Sequence, residues 1–344
     1  MEIKKINWLM VGAFALHIVV SLVLYNFPDM FEIGILLNLS LGEIMLLLPM
    51  VVYLLCWKLG QRKYAASESL RTGDISKLTL FELGLSGGSN SKTLRERLHY
   101  NKVKPTTILY ALIFTWLSMP LTTLINAISM LFVDNTVMAL SGQILGVAFP
   151  VMLFFMAVVP AFCEETLFRG IVYGGYRKHG NKFVAVMLSG FLFGVMHMNL
   201  NQALYAFAIG VLLALLFEAT NSIWPTILFH FVYNAQSCCL MYFVEEIVPG
   251  FYSNPDNIAM ATETASLYSM IAAYIIIAAI FTPLAICMLY KIAKNEGRVE
   301  QLKETLPGKK EGKMRIATAS FWVATVLAVG FIVYDILLSY GIIA

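Results

Sequence analysis

Nine apolar runs set the terms for this chain: roughly 6–27, 33–59, 106–133, 145–175, 183–199, 203–219, 222–244, 266–290 and 317–342. A helix needs about 20 mostly apolar residues, with a range of about 17–25, to cross the hydrocarbon core of a bilayer. Backbone polar groups in lipid must be satisfied within the segment, so such runs fold as helices. Of the 344 residues, 59% are hydrophobic and only 13% charged, which leaves too little polar surface for a soluble protein of this size. The expectation is an all-α, polytopic transmembrane bundle of about nine spans, or eight, with its polar residues gathered inside the membrane.

The net charge of +3 says little, but its distribution says more. Segment 61–105 carries nine Lys/Arg against four Asp/Glu, and 291–315 carries eight against four. Arg177, Lys178 and Lys182 mark another turn, and Lys4 and Lys5 the start of the chain. Alternating nine spans puts all of these on one side. The opposite loops hold only acids, among them Asp29, Glu32, Asp134, Glu245, Glu246, Asp256 and Glu263. Positive residues concentrate on the cytoplasmic side, so the N-terminus is expected inside, in a bacterial plasma membrane. The first span lacks a small-residue cleavage site and reads as a retained anchor. The stretch "GLSGGSNSKTLRERL" reads as a flexible link and a short interfacial helix, and "LPGKKEGK" as a loop before the last span. Both basic segments read as a solvated inner surface. They lack aromatic interleaving, so no nucleic-acid partner is expected. Five cysteines lie in or beside spans without a CxxC pair, which suggests neither a zinc ribbon nor a disulfide framework.

The sequence "AFCEETLFRG" breaks the apolar pattern. A charge at membrane depth is costly and is expected to face the bundle interior beside a partner. Glu165 and Arg169 are spaced i, i+4 and share a helix face. Glu164 is left over, about 100° round the helix. His197 lies in the fifth run and His230 in the seventh, with Asn201 and Asn234 each four residues later. At 1.5 Å rise per residue, Glu164, His197 and His230 lie roughly 14–22 Å from the basic face and can meet in one layer. Pro160 and Pro225 allow local kinks there. Cys163 is expected to pack. Glu43 and His17 have no matching partners in the sequence and stand as structural or substrate-path candidates.

A carboxylate beside imidazole can activate water, and imidazole and amide groups can stabilise an oxyanion. His197, His230 and Glu164 could alternatively bind zinc and acidify its bound water. There is no HExxH, the strongest sequence sign of a zinc protease. Two other classes compete with hydrolysis: a non-catalytic membrane scaffold, and a proton-coupled transporter, although no internal repeat supports the latter.

"EETLFR" at 164–169, "FGVMH" at 193–197 and "TNSIWPTILFHFVYN" at 220–234 resemble, in order and interval, the EExxxR, FxxxH and HxxxN motifs of the CAAX prenyl endopeptidase and bacteriocin-processing (CPBP, or Abi) family of intramembrane proteases. Phe207 and Gly210 suit the helix between the second and third motifs. The resemblance covers roughly 145–245, flanked by N-terminal spans in 1–140 and by an acidic outer loop and two spans in 246–344. It implies an endopeptidase acting on a membrane-associated protein or peptide. Glu164 would be the general base or a metal-linked acid, and His197 would stand next to the attacking water. His230 and Asn234 would stabilise the oxyanion, Glu165 and Arg169 would shape the site, and Asn201 would orient His197. The family is treated as metalloproteases, with a metal-free, glutamate-activated water as the other route.

Overall fold

A computed structural model describes residues 2–26, 34–72, 93–308 and 315–342. Among the described residues, nine principal helices correspond to the nine apolar runs. They are α1 (Glu2–Asn26), α2 (Ile35–Thr72), α3 (Pro105–Ser129), α4 (Phe149–His179), α5 (Lys182–Val195), α6 (Leu200–Thr220), α7 (Trp224–Ile247), α8 (Thr264–Asn295) and α9 (Ala319–Ser339). The described residues contain no strand. Eight of these helices are long and apolar enough to cross a membrane, and the chain is a multi-pass integral membrane protein. The exception is α5, whose 14 residues rise about 21 Å, short of a bilayer core of about 30 Å.

The fifth run therefore does not continue to 199 as one helix. The chain turns at 196–199, where Met198 takes a left-handed φ of 57°. Asn199 then caps α6 by accepting from the Gln202 amide. The resulting α5–α6 hairpin is held by glycines. A Cβ on Gly194 would lie 2.5 Å from the Ala203 carbonyl, and one on Gly210 would lie 2.8 Å from the Gly190 Cα. Small residues let membrane helices approach to backbone contact, since lipid offers no hydrophobic drive for their association.

Around this hairpin, α3 packs against α6, α7 and α8, while α1 packs against α2 and α9. The first and last helices thus meet. Asn7 fastens them with hydrogen bonds to the Ile316 carbonyl (3.0 Å) and the Thr318 hydroxyl (2.9 Å), and its own Oδ1 accepts from Tyr176. The segments flanking 145–245 are interleaved with that core and do not stand apart from it.

The basic face is less solvated than composition suggests. Arg97 is buried and pairs with Glu2 at 2.8 Å. Glu218, near the end of α6, gathers Arg177 (2.9 Å), Lys182 (3.2 Å), Arg298 (3.2 Å) and the Tyr173 hydroxyl (3.0 Å) on one buried carboxylate. Four chain segments are tied there. The expected short helix is present as Leu94–Arg97, opened by a Thr93–Glu96 capping box. The Gly/Ser link before it, most of "GKKEGK", Asp29 and Glu32 lie outside the described residues.

Gly194→Val should lower stability by about 1–3 kcal/mol, the usual cost of overpacking a close contact. A thermal melt in detergent micelles measures it. A variant as stable as wild type would mean that α5 and α6 are not in backbone contact.

Candidate active site

The site begins with the shape of α4. The helix is not uniform: Phe154–Val158 and Thr166–Tyr173 are π-helical, with regular α-helix between them. Such widened turns are frequent at functional sites. Pro160 has no N–H to give to the Met156 carbonyl four residues earlier. The Asn234 amide of α7 donates to that carbonyl at 3.1 Å. The "HxxxN" helix is therefore pinned to the proline step of the "EExxxR" helix, one turn before Glu164.

Glu165 and Arg169 form the expected pair, Nη1 to Oε1 at 2.8 Å, with both side chains fully buried. Arg169 also donates to the Gly210 carbonyl at 3.1 Å, and its guanidinium lies 4.3 Å from the centre of the Phe193 ring. The close approach that Gly210 permits is thus also what brings its carbonyl to the arginine. The same Glu165 Oε1 accepts from His230 Nδ1 at 3.0 Å. A carboxylate can only accept here, so Nδ1 carries the proton and Nε2 points onward. It lies 4.0 Å from Glu164 Oε2. That oxygen is buried and makes no hydrogen bond among the described residues.

His197 approaches from the α5–α6 turn. Its Nδ1 is 3.0 Å from the Phe193 carbonyl and 3.3 Å from that of Gly194. Both are acceptors, which fixes the proton on Nδ1 and leaves Nε2 as the free lone pair of the neutral ring. Phe193 stands between the imidazoles, edge-on to His197 (5.6 Å) and to His230 (5.8 Å). Phe193 opens the FxxxH motif without an assigned task. Its position under Arg169 and between two histidines is that of the site's apolar floor.

Glu164, Glu165, Arg169 and His230 are thus brought together, with His197 across the Phe193 ring from His230 and Asn234 on the α4 backbone at Met156. Asn201 is not placed to orient His197. The turn at 196–199 puts the two on different helices, and the buried Asn201 amide donates to Asn126 (3.0 Å) and Ser129 (2.8 Å) on α3. Two residues that the sequence left without partners lie on the flanking helices: Glu43 on α2, which packs against the α4 turn that carries Glu164, and His17 on α1. A lone ionisable residue in an apolar span was the available signal for both.

The donor types suit zinc: two imidazole Nε2 atoms and a carboxylate, with each Nδ1 held by an acceptor. Their spacing does not. Among the described residues no group of three or more His, Cys, Asp or Glu is arranged to hold an ion.

The chain is an all-helical membrane bundle whose interior holds Glu164 and Glu165 within 4.0 Å of the His230 side chain. Residues 146–236 match the family model described as type II CAAX prenyl endopeptidase Rce1-like. A relative from Bacillus subtilis (strain 168), named "Putative membrane peptidase YdiL", is 33% identical over 87 residues, which is 25% of this chain and 36% of the relative. The chain thus spans just over a third of that relative's length. No solved structure matches. The segment that carries the three motifs is thus the part of the chain similar to this family model and to that relative.

Glu165→Gln should destabilise the protein by about 3–5 kcal/mol, because it leaves Arg169 as a buried charge without its counter-ion. Thermal unfolding in micelles measures the loss. A melting curve that overlays wild type would show that the pair carries no such role.

Proposed function

We propose that this chain is a membrane-embedded endopeptidase that hydrolyses a peptide bond of a membrane-associated protein or peptide with a glutamate-activated water. The observation that carries the reading is the buried, unbonded Oε2 of Glu164, 4.0 Å from His230 Nε2. The matched family segment gives the reaction class.

Glu164 Oε2 and His197 Nε2 are both acceptors, and a water offers two protons. Held between them, it presents its oxygen lone pair to a scissile carbonyl. Glu164 takes a proton as the C–O bond forms. His230 is held in place through Nδ1–H by Glu165, and Asn234 has a second amide proton, beyond the one given to Met156, to offer to the developing oxyanion. The proton on Glu164 then passes to the leaving amine as the C–N bond breaks. The products are one carboxylic acid and one amine, and the water is fully accounted for. Substrate enters from the basic face, taken as cytoplasmic, or from lipid. Prenylated C-terminal tails of CAAX type are the first substrates to test, given the family model's description.

Mass spectrometry of membrane proteins and peptides should find new termini in cells making the wild-type chain and not in cells making Glu164→Ala. Identical termini would overturn the protease reading. A cellular phenotype retained by Glu164→Ala would point to a scaffold, and substrate-coupled proton flux to a transporter.

On a cleaved peptide, Glu164→Gln and His197→Ala should each lower kcat by about 100- to 10,000-fold, the usual worth of a positioned general base. Treatment with a zinc chelator should leave the wild-type rate unchanged. Loss of activity on chelation, restored by zinc, would replace the carboxylate route with a metal-assisted one.

A further inference from the structure

The helices α1 and α2 leave between them a groove of about 870 Å3. Most of its wall is apolar, with Leu9 and Gly12 on α1 and Leu48, Pro49 and Val52 on α2. Gly12 sets its depth, since a Cβ added there would meet no atom within 4 Å. At its other end Glu2 and Lys5 of α1 share the mouth with Trp57 and Gln61 of α2. From Glu2 to Gly12 the groove follows about 15 Å of helix. That is the depth of one leaflet, half of a hydrocarbon core of about 30 Å. Trp8 and Trp57 both line the groove near its mouth. Tryptophan is enriched at this level, where hydrocarbon gives way to headgroups.

The mouth is polar in one sense only. Glu2 is the acid that lines it, and both its oxygens are engaged. Oε1 accepts from Arg97 at 2.8 Å, and Oε2 lies 2.9 Å from His179 Nε2. Arg97 also donates to the Tyr53 hydroxyl at 2.9 Å, which leaves that hydroxyl its own proton to give. Lys5 is exposed and makes no ion pair among the described residues. The groups left to serve a ligand are therefore donors: the Lys5 ammonium, the Tyr53 O–H and the Gln61 amide. We infer that this groove holds one anionic phospholipid from the leaflet on the basic face, with an acyl chain along Leu9 and Gly12 and its phosphate at Lys5 and Tyr53. A zwitterionic headgroup would bring an ammonium for which the mouth has no uncommitted carboxylate. The inference stands apart from the protease reading, because the groove contains none of the candidate site residues and lies outside residues 146–236.

The test uses the full chain, purified in detergent, stripped of lipid and titrated with phosphatidylglycerol or phosphatidylcholine, with native mass spectrometry as the readout. The wild-type chain should retain one phosphatidylglycerol with a preference of about fivefold or more over phosphatidylcholine, the worth of one lysine beside an anionic headgroup. Lys5→Gln should bring the two lipids to near parity. Gly12→Phe, which puts a ring into the open floor of the groove, should abolish retention of the single lipid and leave the lipid-free melting temperature at the wild-type value. If Gly12→Phe melts early, Lys5→Gln, at an exposed position, still decides the matter. Equal retention of the two lipids by the wild-type chain, a phosphatidylglycerol preference untouched by Lys5→Gln, or retention unchanged in a folded Gly12→Phe would each overturn the inference. So would displacement of the phosphatidylglycerol by a prenylated peptide and not by its unprenylated counterpart, which would make the groove the seat of a substrate's lipid tail.

Discussion

The Glu165–Arg169 pair is the constraint around which the rest of the site is arranged. Each charge alone would be prohibitive in a membrane interior. Together, at 2.8 Å and fully buried, they form a unit that can be enclosed provided its remaining hydrogen-bonding groups find partners. Those partners come from three other helices: the Gly210 carbonyl of α6, the Phe193 ring of α5 and the His230 imidazole of α7. The pair thus acts as a jig. A helix that shifted along its axis would withdraw one partner and leave a buried charge underserved. Residual unsatisfied atoms, Arg169 Nε and Glu165 Oε2, mark where the jig is imperfect. Such imperfection is tolerated at functional sites more often than elsewhere.

The backbone is shaped to the same end. Helical carbonyls are normally spent within their own helix, so a polar side chain inside a membrane finds few acceptors. This fold makes use of two. Pro160 withholds a donor from Met156, and Asn234 supplies one. The glycine contact of α5 with α6 brings α4's arginine within reach of Gly210's carbonyl. In both places a residue with unusual backbone properties lets a side chain from another helix dock on the main chain. The motif residues and the "structural" prolines and glycines are therefore parts of one arrangement.

Much of this was legible in the sequence. Nine apolar runs fixed the number and placement of the principal helices, since lipid leaves the backbone no other choice. The i, i+4 spacing of Glu165 and Arg169 specified their bond before any fold was known. Other features were not legible because they depend on where helices end or meet. Asn201 follows His197 by four residues, and periodicity alone puts them on one face. The left-handed Met198 and the Asn199 cap break that helix, so Asn201 serves α3 instead. Glu218 lies at the end of the sixth run and drew no reading from the sequence. Its three basic partners lie in different segments, and no local pattern could collect them. Glu43 was visible as a lone acid in the second run, but the packing of α2 beside the Glu164 turn, about 120 residues later, is set only by the tertiary fold.

The family-matched segment, 146–236, covers α4, α5 and α6 and the first half of α7. Those helices carry every motif residue, yet they do not by themselves exclude lipid from Glu164. Electrostatic catalysis needs fixed dipoles in a site closed to bulk solvent and to mobile chains, because only there do preorganised groups keep their strength. The outer helices supply that closure. The enclosure of Glu164 therefore draws on α2, which packs against its turn from outside the matched segment, so residues that the family match does not cover shape the surroundings of that carboxylate.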